Sequence, residues 1–114
     1  MEPGPDVTVD QAHRAAQAGQ VLLVDVREDH EWAEGHAPGA IHVPLGALAA
    51  DSLPRDRPVV VVCRLGGRSA SAAEALAGAG YEVRNTTGGM KAWAQAGLPV
   101  VRDDGSTGTV PEPH

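Results

Sequence analysis

Pro58-Val59-Val60-Val61-Val62-Cys63-Arg64-Leu65-Gly66-Gly67-Arg68-Ser69 decides the fold. Val59 to Val62 form an unbroken run of β-branched apolar residues, the pattern of a strand buried on both faces in a parallel sheet. Downstream, Ser69-Ala70-Ser71-Ala72-Ala73-Glu74-Ala75-Leu76-Ala77 is rich in helix formers and stops at Gly78 to Gly80. The single cysteine therefore falls where a buried strand ends, on a short glycine-containing loop that opens a helix.

This placement has chemical consequences. Parallel sheets offer ligand sites at the carboxyl ends of their strands. A helix start presents unpaired N–H groups and attracts anions. Gly66 and Gly67 let the backbone curl so that successive amides converge, and Arg64 and Arg68 add positive charge. A free thiol titrates near roughly 8.5, and such surroundings lower it to about 3.5–7.5. The loop thus suits an attacking thiolate and an anionic reactant. A lone cysteine is often only a small apolar residue at the end of a core strand. Two arginines and two glycines in the next five positions argue against that here.

The 114 residues make one small domain. Phe is absent and Trp32, Tyr81 and Trp93 are the only aromatics, so the core is expected to be Val, Leu and Ala. The net charge of −6 argues against a phosphate-backbone binder, and the scarcity of aromatics argues against base stacking. One cysteine allows no internal disulfide and no internal resolving thiol. The five histidines show no metal-site spacing, and no cofactor is expected. No stretch is long enough to span a membrane and no signal peptide is evident, so a cytoplasmic monomer is the expectation.

Residues 1–6 carry two prolines and are expected to be loose. Thr8-Val9-Asp10-Gln11 fits a capping box opening a short helix that Gly19 stops. Val21 to Val24 is a second buried strand, ending in Asp25-Val26-Arg27 at the same sheet edge as Cys63. Asp29 to Glu34 predicts one or two helical turns. His36 to Pro44 is turn and short strand, and Leu45 to Ala50 a short helix. Tyr81 to Asn85 is another strand, and Met90 to Ala96 another helix. From residue 103 the polar, Gly- and Pro-containing tail is expected to be disordered. Strands alternating with helices imply an α/β layer fold with a mainly parallel sheet.

Three segments coincide with one family. Asp25-Val26-Arg27-Glu28 with Glu31-Trp32 and Gly35-His36-Ala37-Pro38-Gly39-Ala40-Ile41 resembles the N-terminal signature of single-domain rhodaneses, the thiosulfate sulfurtransferase-like proteins. Gly88-Gly89-Met90-Lys91-Ala92-Trp93 with Gly97-Leu98-Pro99-Val100 resembles their C-terminal signature, and Cys63 to Ser69 their active-site loop. Ala37 stands where the family often has a branched apolar residue. The resemblance covers residues 7–101. It implies a three-layer fold with a five-stranded, mainly parallel sheet flanked by helices. It also implies a mechanism. The Cys63 thiolate takes the outer sulfur of thiosulfate, sulfite leaves, and cyanide or a thiol then removes the sulfur from the Cys63 persulfide.

Within that scheme Arg64, Leu65, Gly66, Gly67, Arg68 and Ser69 form the anion-binding loop. Its amides stabilise the sulfur, and Arg68 holds the loop or contacts the anion. Arg64 is read as pointing outward, drawing in the donor or lying as a solvated charge. Ser69 is read as a helix N-cap. Asp25 and Arg27 tie the sheet edge to neighbouring loops, with Arg27 pairing to Glu31 or Glu34. His36 is read as a satisfied turn residue, and Trp32 and Trp93 as packing residues. Phosphatases of the related fold need a loop one residue longer than the four residues between Cys63 and Arg68, which ranks that activity low. A non-enzymatic module, or a persulfide carrier for an acceptor protein, is the alternative.

Overall fold

In the computed structural model, which describes residues 1–49 and 51–111, helices and strands alternate along the chain. The elements are α1 (Val9–Gln17), β1 (Leu22–Asp25), α2 (Asp29–Glu34), β2 (Ile41–His42), β3 (Val59–Val62), α3 (Gly67–Gly78), β4 (Val83–Asn85) and α4 (Gly89–Gln95). The strands pair in the order β2-β1-β3-β4, all parallel. Leu22 to Asp25 lie in register with Val59 to Val62, so the two apolar runs form the sheet centre.

Alternation along each strand sends its side chains to opposite faces. Val59, Val61 and Cys63 join Leu22, Val24 and Val26 against Ala72, Ala73, Leu76 and Ala77 of α3. Val60, Val62 and Leu23 face the other way, against Ala12, Met90 and Trp93 of α1 and α4. Each fully buried Val, Leu or Met contributes about 1.5–3 kcal/mol of burial free energy. Cys63 therefore points towards α3 by the same parity that buries Val59 and Val61.

Among the described residues the sheet has four strands and not the five implied by resemblance. Where a further edge strand would run, Val7 makes an isolated bridge to Thr86, and Gly4 N–H donates to the Val83 carbonyl at 2.9 Å. Pro3 and Pro5 carry no N–H, so this segment forms no regular ladder. Residues 1–6, expected to be loose, are thus hydrogen-bonded at Gly4. The Thr8–Gln11 capping box opens α1 as predicted. The helix expected over Leu45 to Ala50 is only a 3₁₀ turn, Leu45–Ala47, and Ala50 lies outside the described residues.

The expectation of a disordered tail from residue 103 is corrected as far as Pro111. Val101 pairs with both His36 and Thr107, Gly108 N–H donates to Val100, and Thr109 N–H to Glu34. Gly105, with φ +87°, turns the chain so that these backbone groups meet. Residues 112–114, part of the same expectation, lie outside the described residues. Among the described residues, no helix is long and apolar enough to cross a membrane, and no group of side chains is arranged to hold a metal ion.

Candidate active site

The loop after β3 is shaped from behind by α4. Met90 N–H donates to the Cys63 carbonyl at 2.8 Å, and Lys91 N–H to the Arg64 carbonyl at 3.0 Å. The loop carbonyls are thereby occupied on the α4 side, which leaves its amides facing the sulfur. Gly89 permits this approach. A Cβ there would lie 2.4 Å from the Cys63 oxygen and 2.5 Å from the Arg64 oxygen, and its φ is +59°. Gly66, with φ +123°, then reverses the chain and donates its N–H to Cys63 Sγ at 3.1 Å. Asn85 Nδ2 at the end of β4 donates to the Gly66 carbonyl at 3.0 Å and fixes that peptide.

Ser69 is not the helix N-cap. Gly66 holds that position, three residues before the expected cap, and the helix starts at Gly67. Ser69 is fully buried, and its hydroxyl lies 3.2 Å from Cys63 Sγ and 3.3 Å from the Gly66 carbonyl. Cys63 itself is 1% exposed. Burial pushes its thiol up. The Ser69 hydroxyl and the amides of Ser69, Gly66 and Leu65 act the other way and prevail, so the thiol lies below its ordinary range. The sulfur faces a cavity of about 400 Å³ lined by Glu31, Cys63, Arg64, Leu65, Gly67 and Arg68.

Both loop arginines are held by partners that the sequence does not place beside them. Arg68 does not offer its fork to the cavity. It grips Glu31 in a two-point pair, Nη1–Oε1 at 2.6 Å and Nη2–Oε2 at 2.9 Å. Arg64 does not lie outward in solvent. It is 9% exposed, and its Nε donates to the Pro111 carbonyl at 3.1 Å. The returning C-terminal segment, absent from the sequence reading, provides that acceptor.

Glu31 is the site residue that the sequence reading missed. Its Oε1 also accepts from Glu28 N–H at 3.0 Å, so the first turn of α2 orients the carboxylate. The spacing of Glu28 and Glu31 was a legible signal, since a Glu at the third helical position commonly reaches back to the cap amide. The Arg68 hydrogen bonds hold Glu31 down at about 2, against the opposing effect of burial.

Asp25 and Arg27 form a fully buried pair, with Nη2–Oδ2 at 2.8 Å. Arg27 Nη2 also donates to the Gly35 carbonyl at 2.7 Å, and its partner is not Glu31 or Glu34 as expected. The pair ties the end of β1 to the turn after α2. Both His36 nitrogens have partners, Nε2 2.9 Å from Asp103 on the returning C-terminal segment and Nδ1 3.3 Å from the Ala37 carbonyl in its own turn. Trp93 is fully buried. Trp32 is half-buried and stacks on His36, with ring centroids 3.6 Å apart, and on His42, at 4.8 Å.

Residues 8–96 match the rhodanese-like domain family. The chain belongs to that family. A sulfurtransferase of Allochromatium vinosum is 41% identical over 97 residues, which cover 82% of this chain and 91% of that protein. An HTH-type transcriptional regulator of Mycobacterium tuberculosis is 40% identical over 109 residues, covering 91% of this chain but 47% of the regulator. Among solved structures, a rhodanese-related protein of Thermoplasma volcanium is 29% identical, with a TM-score of 0.78 over 86% of this chain and 98% of the other. The rhodanese-like fold thus comes with sulfurtransferase relatives, and the family supports a general role in sulfur transfer.

Proposed function

We propose that this rhodanese-like protein carries sulfane sulfur on Cys63, taking it from thiosulfate or another persulfide donor and passing it to a thiol or cyanide. One observation carries this reading: a buried sulfur receives the Gly66 amide and the Ser69 hydroxyl, donors that favour its anion. In the first half-reaction the Cys63 thiolate attacks the donor's outer sulfur. A new S–S bond forms, the donor's own S–S bond breaks, and the leaving group (sulfite, from thiosulfate) departs with the electron pair. In the second, the acceptor attacks the outer sulfur of the persulfide and the Cys63 thiolate is restored. The ring of donors serves both steps, because negative charge sits on sulfur before and after each.

The experiment is an intact-mass measurement after incubation with thiosulfate and, separately, with an organic persulfide. A gain of one sulfur atom is expected, removed by cyanide and absent in Cys63→Ala. No gain from either donor refutes sulfur transfer. The match to under half of a transcriptional regulator favours a second reading, a sulfur-carrying or sensing module within a longer chain. Repeated turnover with a small acceptor thiol separates the two, since a module would load once and stop.

A further inference from the structure

The cavity over Cys63 is built without the positive charge that a dianion requires. Among the described residues, the ionised side chains that line it are Arg64 and Arg68, set against Glu31 and the Cys63 thiolate. Two positive charges meet two negative ones before any donor enters. Arg68 has committed its end-on fork to Glu31, which offsets its charge in place and leaves a sulfonate only the remaining N–H groups. Glu31 sits against the loop with its side chain only 11% exposed, and its second bond to Glu28 N–H holds it in place. The remaining rim is apolar. Leu65, at the tip of the loop, is 57% exposed, a rare exposure for a large apolar residue in this molecule.

A thiolate attacking thiosulfate brings one negative charge against two. Such an encounter needs a cationic clamp that strengthens as charge accumulates. The whole chain, at −6, does not supply the missing field at longer range. An organic persulfide carries at most one charge at its sulfur, and the rest of it can rest on an apolar surface.

Resting on the sulfurtransferase reading above, we propose that Glu31 is a specificity-determining residue. It occupies Arg68, and so turns the site away from thiosulfate and towards an organic persulfide whose carbon skeleton packs on Leu65. The transfer balances without any further reactant. The Cys63 thiolate attacks the outer sulfur of R–S–SH, the new S–S bond forms, and the old one breaks. The inner sulfur leaves with the electron pair and takes the proton as R–SH, and the persulfide anion remains on Cys63.

The test compares initial rates of Cys63 sulfur loading from thiosulfate and from benzyl persulfide, read by quenched intact mass, with Cys63→Ala as background. In the unaltered protein, benzyl persulfide is expected to load with a kcat/KM at least about tenfold above thiosulfate. Glu31→Gln keeps an acceptor for Glu28 N–H but releases the charge of Arg68, and the donor ratio should swing towards thiosulfate by about tenfold. Leu65→Ser, at an exposed position that folding does not depend on, should swing it the same way by slowing the persulfide. Equal loading from both donors, or a ratio unmoved in both variants, overturns the role of Glu31 while leaving sulfur transfer intact. No loading from either donor overturns sulfur transfer and this inference with it.

Discussion

Cys63 behaves as it does because of Ser69. The hydroxyl 3.2 Å from the sulfur joins the Gly66 amide at 3.1 Å, and together with neighbouring amides they outweigh the cost of burying a charge. Ser69→Ala is therefore expected to move the thiol back up. Alkylation by iodoacetamide at neutral pH should slow by about tenfold and recover at alkaline pH. An unchanged midpoint in the pH profile would assign Ser69 to packing alone. Which residue types gather at the sulfur was legible in the sequence, because a strand end, two glycines and a helix start define the loop locally. Their exact partners were not. Arg64 reads as a surface charge until the chain returns from Val101 to place the Pro111 carbonyl beside it. Arg68 reads as a loop holder or an anion contact until α2, 37 positions earlier, supplies Glu31 as the partner. Contacts of that sequence separation leave no local trace.

At the scale of elements, α4 and the loop after β3 are one unit. The amides of Met90 and Lys91 hold the carbonyls of Cys63 and Arg64, and Gly89 gives them the room. Gly89→Ala places a Cβ against two carbonyl oxygens at a left-handed φ, and a loss of about 2–4 kcal/mol is expected from the denaturation midpoint. Sulfur loading should fall along with stability, because displacing α4 frees the loop carbonyls to turn. Retained loading in a destabilised Gly89→Ala would show that the loop holds its own shape. The helix start at Gly67 and not Ser69 has the same origin. Gly66 accepts the cap position through its φ of +123°, a choice that side-chain propensity cannot reveal.

For the molecule as a whole, acid sensitivity runs through the link between α2 and α3. Glu31 titrates near 2 when folded and near its ordinary 4.5 when unfolded. Its contribution is thus complete above about pH 4.5 and fades as pH falls towards 2. With Arg68 partly in solvent, screening leaves that contribution at about 1–2 kcal/mol. Glu31→Gln should lower stability at neutral pH by this amount and flatten the acid limb of an unfolding series; parallel curves for the two proteins would remove Glu31 from the balance. The parallel sheet was legible because Val21 to Val24 and Val59 to Val62 are apolar without interruption, the pattern of doubly covered strands. The reduced edge at Val7 and the ordered return to Pro111 depend on backbone pairing between polar segments, for which composition carries no signal. The stacking of Trp32 with His36 and His42 gives the molecule something else. One indole is sealed in the core at Trp93 and the other lies against two imidazoles, next in sequence to Glu31. Ultraviolet emission from Trp32 therefore reports, without any attached dye, on the stretch of α2 that grips the loop around the sulfur.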